Sequence, residues 1–314
     1  MSIIEKAVEK LNSTAIDHRP VHPHGESGTV SDSGHDGLEQ TRLVGRDQSP
    51  VSKSSIAPNV YKPVDIEISF ADLAERGMVT PDSPRSPIAE EYRSIKRPLL
   101  TNIEGKGAVA LRHPNLIMVT SALQGEGKTF SAINLAMSIA MEQDKTVLLV
   151  DADISKASAA RLLGVPDCSP GLIDVLEDEN VYIGDVILHT NIPNLRIVPA
   201  GRMHDRSTEL LASQSMYTVV EELAERYADR VVIFDSPPLL LTNEAQVVAS
   251  LVGQIVFVIA AEQTSQRAVS EALDMLDEEV MVGMILNKTK HTFTNKYGYG
   301  YGYGYGYGNT RETN

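Results

Sequence analysis

The feature that most constrains this chain is a glycine-rich segment between an apolar run and a predicted helix. Residues 121–129 read SALQGEGKT, after the apolar run Leu116–Val119 and before a predicted helix from Phe130 to Met141. Glycine lets the backbone curl so that successive amide groups point at one anion, and the helix directs its positive dipole end at the same place. The segment therefore predicts a loop that binds the phosphates of a nucleotide.

Two side chains at the end of this loop have distinct expected roles. Lys128 is expected to reach the β- and γ-phosphates, and the Thr129 hydroxyl is expected to ligate Mg²⁺. The usual pattern begins with glycine where this chain has Ala122, but alanine is small, so we expect the loop to close. The predicted nucleotide-binding residues of this segment are Gln124, Gly125, Glu126, Gly127, Lys128, Thr129 and Phe130.

Acidic residues follow two further apolar runs. Asp151 and Asp153 come directly after Val147–Val150, and Asp235 comes directly after Val231–Phe234. A single aspartate after a strand is more typical of a helix cap or a turn, but three beside a phosphate loop favour a metal site. The predicted Mg²⁺ ligands are Thr129, Asp151 and Asp235.

The predicted fold class is α/β, with a mostly parallel central sheet and helices on both faces. Short, continuous apolar runs are typical of strands that are covered on both sides, and helical segments lie between most of these runs. The predicted strands are Ile66–Phe70, Leu116–Val119, Thr146–Val150, Leu195–Val198, Val231–Phe234, Ile255–Ile259 and Val280–Leu286.

Composition divides the chain into four parts. Residues 1–12 have the spacing of a short amphipathic helix, which rests on its own domain or docks a partner. Residues 13–60 are rich in Ser, Gly, His, Asp and Pro and are predicted to be disordered. Residues 61–292 form the predicted catalytic domain, in which residues 86–100 include a helix. Residues 293–314 contain a strict Tyr-Gly alternation and are predicted to be a flexible tail.

Charge and hydropathy exclude several classes of protein. The formal net charge of −14 argues against a general nucleic-acid binder and against unaided binding to anionic lipid. The single cysteine, Cys168, excludes an intramolecular disulfide framework. We find no basic region followed by an apolar stretch at the start, and no apolar run near the ~20 residues of a membrane-spanning helix. These features predict a cytoplasmic protein whose membrane role depends on a partner.

Four motifs in order resemble those of the bacterial tyrosine kinases of exopolysaccharide and capsule systems. They are the phosphate loop, an Asp-x-Asp strand end, a strand ending Asp-x-Pro-Pro, and a C-terminal tyrosine cluster, and the resemblance covers about residues 86–308. It implies a P-loop fold and an ATP-dependent protein-tyrosine autokinase that uses Mg²⁺. It also implies a separate membrane activator, a polysaccharide co-polymerase, and a cognate tyrosine phosphatase.

The resemblance also implies roles for particular residues. The catalytic residues would be Lys128, Asp151 and Asp153, with one of the two aspartates orienting or deprotonating a tyrosine hydroxyl. In related P-loop ATPases an asparagine at the position of Asn287 contacts the adenine. The family usually has arginine two residues after the second aspartate, where this chain has Ser155.

The resemblance implies that tyrosines of the tail accept the phosphoryl group. It also implies that this group is transferred in trans, between subunits of a ring. Without the kinase motifs, a Tyr-Gly repeat is equally typical of an adhesive or structural segment. The predicted acceptors are Tyr297, Tyr299, Tyr301, Tyr303, Tyr305 and Tyr307. Their phosphates would repel one another and open the ring.

A charged helix is the predicted oligomerisation element. Glu90, Arg93 and Lys96 match a family motif that helps to build the ring, although lysine replaces its last arginine. The other interpretation is a solvated helix face.

Two rival functions for the whole chain stay open. One is an ATPase of the partition or cell-division-positioning type, and the other is a non-catalytic adaptor. The partition type usually has lysine at the position of Ala122 and lacks a Tyr-Gly tail.

Overall fold

The computed structural model describes residues 65–167, 169–202 and 207–290. The predictions made for residues 1–12, for residues 13–60, for Cys168 and for the tail at 293–314 lie outside these ranges. Within them, no helix combines the length and apolar character that crossing a membrane requires.

The described residues form one eight-stranded sheet around a central phosphate-loop strand. Its strands, in chain order, are β1 Asp65–Ile66, β2 Leu116–Ser121, β3 Thr146–Asp151, β4 Leu188–Thr190, β5 Leu195–Val198, β6 Arg230–Asp235, β7 Gln254–Ala260 and β8 Met281–Asn287. Their spatial order is β1-β4-β5-β3-β6-β2-β7-β8. Only the β4–β5 pair in this sheet is antiparallel. The prediction of a mostly parallel sheet is confirmed.

Helices cover both faces of this sheet, as predicted. They are α1 Phe70–Glu75, α2 Pro87–Ile103, α3 Lys128–Ala140, α4 Ser158–Leu162, α5 Leu172–Glu177, α6 Ser207–Leu211, α7 Gln214–Arg226, α8 Asn243–Leu251 and α9 Gln266–Leu273. The first core contains Leu116 and Met118 together with residues of α5, α7, α8 and α9. The second core contains Ile117 and Val119 together with residues of α1 to α4. Because successive strand residues enter opposite cores, all four residues from Leu116 to Val119 are apolar.

The strand predicted at Ile66–Phe70 is wrong for most of its length. Pairing stops at Ile66, and α1 begins at Phe70. The reason is local: the hydroxyl of Ser69 accepts a hydrogen bond from the amide of Asp72 at 3.3 Å, which caps the first turn of a helix. Ile66 and Ile68 precede the helix, and together with Leu73 of α1 they are buried in the second core.

Helix α2 has a well-defined start. The Ser86 hydroxyl accepts from the amide of Ala89 at 3.3 Å, and Pro87 occupies the first turn, where its missing amide proton costs nothing. The helix buries Ala89, Tyr92 and Leu99 against the second core. It thereby lies beside α3, the helix that follows the phosphate loop.

Candidate active site

The phosphate loop joins β2 to α3 and closes as predicted. Gly125 and Gly127 have φ values of +79° and +99°, in the left-handed region that favours glycine. A Cβ atom at Gly127 would lie 2.1 Å from Nδ2 of Asn287, so no larger residue fits there. Ala122, at the position where glycine is usual, is fully buried in the first core. The alanine side chain therefore fits at this position. The Ala122 carbonyl accepts a hydrogen bond from the amide of Leu240 at 3.3 Å.

The three predicted carboxylates lie together at the carboxyl edge of the sheet. Asp151 and Asp235 are direct partners in the register of β3 and β6, and Asp153 lies two residues beyond the end of β3. All three are at most 1% exposed. Lys128 is also buried, and its Nζ lies 3.9 Å from Oδ2 of Asp153. The fold therefore brings Lys128 and the aspartates into one buried cluster.

Burial perturbs the ionisation of this cluster. Burial raises the pKa of Asp235 well above its usual range, and the neighbouring charge of Asp151 raises it further. Burial likewise raises the pKa of Asp151 to about 7. The pKa of Lys128 is lowered by burial, an effect that Asp153 and Asp235 oppose. Three carboxylates facing one buried ammonium leave the cluster short of positive charge.

The free oxygens of this cluster fit a hard cation. Oδ1 of Asp151 and both carboxylate oxygens of Asp235 are buried without a hydrogen-bond partner in the described ranges. No group of three or more His, Cys, Asp or Glu side chains in this part of the chain is arranged to hold a metal by itself. Mg²⁺ usually takes one or two carboxylates together with substrate phosphates, so the residues present suit a cation that arrives with a nucleotide.

Asn287 contacts the phosphate loop. Its Nδ2 donates to the carbonyl of Glu126 at 2.9 Å, and its Oδ1 accepts from the amide of Lys288 at 2.8 Å. Both polar ends of the side chain therefore bond within the protein. The predicted contact of Asn287 with adenine stays a prediction.

The helix residues predicted to build an oligomer do not share one environment. Arg93 ion-pairs with Glu90, and its guanidinium also donates to the carbonyl of Pro84 at 3.0 Å. Lys96 is instead 4% exposed, with Nζ 2.5 Å from both the Ser138 carbonyl and Oε1 of Glu142. The Ser138 carbonyl belongs to the last turn of α3, where a cation is favourable. Glu90 and Arg93 are available to a neighbour, whereas Lys96 is engaged inside the fold.

Several side chains at this edge of the sheet were not predicted from the sequence. Ser155, at the family's arginine position, donates its hydroxyl hydrogen bond to Oδ1 of Asp153 at 2.8 Å. Thr264 and Lys288 contact the phosphate loop from the ends of β7 and β8. Ser155 was marked only by its departure from a motif. No periodic pattern marks Thr264, which lies 138 residues from its partner Glu126.

Known proteins are similar to this chain in sequence and in fold. Residues 115–282 match a protein family described as an AAA domain, which is more than half of the chain. The tyrosine-protein kinase YwqD of Bacillus subtilis is 32% identical over 226 residues, covering 71% of this chain and 91% of YwqD. The succinoglycan biosynthesis transport protein ExoP of Rhizobium meliloti is 32% identical over 239 residues, which are 74% of this chain but only 29% of ExoP.

A solved structure supports the same assignment. The kinase domain of the Escherichia coli tyrosine kinase ETK superposes with a TM-score of 0.59 and 25% identity, over 76% of this chain and 94% of that domain. The fold, the phosphate loop, the buried acidic cluster and the sequence identity to YwqD agree. They decide against the partition-type interpretation, and the chain belongs to the bacterial tyrosine-protein kinases, P-loop enzymes that bind a nucleotide and phosphorylate tyrosine.

Proposed function

We propose that this kinase transfers the γ-phosphoryl group of ATP to the tyrosines of its own C-terminal cluster. The observation that carries the proposal is the position of the carboxyl end of β8. Strand β8 ends at Asn287, whose side chain touches the phosphate loop, and the first acceptor, Tyr297, follows ten residues later. Ten extended residues span about 33 Å, so the cluster starts within reach of a nucleotide site.

The residues that hold the nucleotide are those of the phosphate loop and the acidic cluster. The loop amides, Lys128 and Thr129 would bind the phosphates, and Thr129, Asp151 and Asp235 would hold Mg²⁺. When bound, Mg²⁺ supplies positive charge that neutralises the β- and γ-phosphate oxygens. Buried oxygens of Asp151 and Asp235 that have no hydrogen-bond partner among the described residues support this assignment. Calorimetric titration with ATP, with and without Mg²⁺, tests it, because equal affinity in both would contradict a metal site.

Asp153 is the proposed base in the transfer. The phenolic oxygen bonds to the γ-phosphorus, the bond from that phosphorus to the β–γ bridging oxygen breaks, and ADP leaves. The free phenol has a pKa near 10, so its proton needs an acceptor, and Asp153 takes it. Asp153 lies beyond the strand end with Oδ2 towards Lys128, and its other oxygen is fixed by Ser155. Asp151 is instead paired with Asp235 in the register of the sheet.

Two isosteric variants separate these roles. Asp153→Asn is expected to lower kcat by about 10²–10³, with KM for Mg-ATP changed by less than about threefold, because only proton transfer is lost. Asp151→Asn is expected to raise KM for Mg-ATP and the Mg²⁺ concentration needed for half-maximal rate, because a metal ligand is weakened. Steady-state kinetics at several Mg²⁺ concentrations measure both. The reverse pattern would make Asp151 the base.

Transfer in trans is tested by mixing two variants. One is Lys128→Met with its tyrosine tail intact, and the other has an intact site but phenylalanine at all six tail tyrosines. Mixed with Mg-ATP, only the Lys128→Met chain is expected to gain phosphate, mapped by mass spectrometry to Tyr297–Tyr307. Neither variant alone is expected to react. An unmodified mixture, beside a parent chain that reacts, would restrict transfer to a single chain.

The proposal includes an oligomer and partners. Glu90 and Arg93 lie at the surface and would contact a neighbouring subunit, and phosphates on the tail would separate the subunits. Equal mass in solution for the phosphorylated and unphosphorylated protein would contradict this.

The protein would act in the cytoplasm, where a membrane polysaccharide co-polymerase would recruit it. A cognate tyrosine phosphatase would reverse its phosphorylation. Its similarity to ExoP supports a role in exopolysaccharide synthesis and export. Co-purification with the cytoplasmic segment of a co-polymerase tests the recruitment.

A further inference from the structure

Side chains that follow the ends of β7 and β8 donate hydrogen bonds to the phosphate loop. We infer that Glu126, Thr264 and Lys288 form a clamp that sets the shape of this loop, and that they are positioning residues for nucleotide binding. We call these three residues the loop clamp. The inference rests on nucleotide binding by the loop and does not require the tail to be the phosphoacceptor.

The side chain of Glu126 is turned into the protein. It is 3% exposed, its Oε2 accepts from the amide of Leu123 at 2.5 Å, and its Oε1 accepts from the hydroxyl of Thr264. An acidic residue beside phosphates would repel them if its charge faced the ligand. With both carboxylate oxygens engaged by donors, Glu126 instead bridges the start of the loop to the end of β7.

Thr264 is itself fixed to β7. Its hydroxyl accepts from the amide of Ala260 at 3.2 Å while it donates to Glu126, and its own amide donates to the carbonyl of Ala260 at 3.0 Å. An ionised carboxylate oxygen can only accept, so the one hydroxyl proton of Thr264 is donated to Glu126. The loop is thus tied to a strand that pairs directly with β2.

Lys288 holds the loop from the end of β8. Its Nζ donates to the carbonyl of Gly125 at 2.6 Å and to Oε1 of Gln263 at 3.4 Å. Its φ is +60°, a conformation that is uncommon for a residue with a side chain. The neighbouring Asn287 draws the carbonyl of Glu126 to the same side.

These carbonyl contacts have a direct consequence for the amides. In a trans peptide the C=O and the next N–H point in opposite directions. Holding the carbonyls of Gly125 and Glu126 outward turns the amides of Glu126 and Gly127 inward, towards the place where phosphates bind. The clamp therefore orients the amides before a nucleotide arrives, which lowers the cost of binding.

Four variants and one matched control test the clamp. Thr264→Val keeps the shape but removes the hydroxyl, Thr264→Ser restores it, and Glu126→Gln replaces one acceptor oxygen with a donor. Lys288→Met removes an exposed ammonium with little risk to folding. The control is Lys290→Met, which removes a surface ion pair with Glu262, at 3.3 Å in the described part of the chain.

Two measurements need no catalysis. Thr264→Val, Glu126→Gln and Lys288→Met are each expected to weaken ADP binding about tenfold by calorimetry, the effect of one lost hydrogen bond to a charged group. They are also expected to speed amide hydrogen exchange across residues 122–127 in the nucleotide-free protein. Thr264→Ser and Lys290→Met are expected to match the parent in both measurements. In kinetics, the same three variants are expected to raise KM for ATP more than they lower kcat.

The opposite results would overturn the inference. If the three variants lowered the melting temperature but bound ADP as the parent does, the contacts would serve stability alone. If Lys288→Met behaved as Lys290→Met in exchange and in binding, Lys288 would be no part of the clamp. ADP binding does not involve phosphorylation of the tail. Its measurement therefore distinguishes failure of the clamp proposal from failure of the autophosphorylation proposal.

Discussion

Lys128→Met is expected to lower the rate of tyrosine phosphorylation by about 10²–10³, which is about 3–4 kcal/mol of transition-state stabilisation. Lys128 supplies a buried ammonium at the start of α3, 3.9 Å from Asp153. A cation in a water-excluded site stabilises charge on transferring phosphate more than an exposed one does. Methionine keeps much of the side-chain volume, so the loss reports the charge. Single-turnover phosphorylation with saturating Mg-ATP measures it.

The matched control for this variant is Lys106→Met. Lys106 is exposed, and within the described residues its ammonium pairs with Glu104 at 2.8 Å, so its loss is expected to leave the rate unchanged. A Lys128→Met protein that retained more than about a third of the parent rate would remove Lys128 from the catalytic residues. Melting temperatures of both variants show that each is folded.

Asp235→Asn is expected to stabilise the nucleotide-free protein by about 2 kcal/mol while abolishing Mg²⁺-dependent ATP binding. Asp235 is fully buried beside Asp151, and neither of its oxygens has a partner among the described residues. A neutral isostere at this position removes the cost of burying the carboxylate and its repulsion with Asp151 and Asp153. Urea unfolding at pH 8 measures the change, and Asp144→Asn, at an exposed position, is the matched control.

The stabilisation by Asp235→Asn is expected to shrink as the pH falls. Burial raises the folded-state pKa of Asp235, so the folded protein holds a proton that the unfolded chain releases. Stability from such a group is complete below the unfolded value of about 3.9 and is lost as the pH rises through the folded pKa. In unfolding measurements made from pH 4 to pH 8, the parent is therefore expected to lose stability as the pH rises, and the variant to lose less. A gap that stayed constant over this range would contradict burial as the cause.

Much of the catalytic edge follows from local patterns. Apolar runs that end in Asp151 and Asp235 predict two strands whose carboxyl ends meet beside the loop, and the structure pairs those residues directly. The glycines of the loop predict a backbone that curls, and Gly125 and Gly127 have positive φ values in the structure. These features were predictable because each depends on residues within one loop or one strand.

Other features depend on contacts that no local pattern contains. Ser69 ended a predicted strand with a helix cap, and the short strand β4, which was not predicted, runs antiparallel to β5. Lys96 has the spacing of a surface motif but is buried, because the last turn of α3 and Glu142 lie within its reach.

The chain by itself determined the fold class, the phosphate loop and the acidic edge, since periodicity and motif spacing are properties of neighbouring residues. Tertiary structure alone decided which side chains support the loop. Thr264 meets Glu126 across 138 residues, and Lys288 meets Gly125 across 163. The physical reason is that a parallel sheet brings the ends of distant strands to one edge. Hydrogen bonds there join residues whose separation along the chain carries no signal.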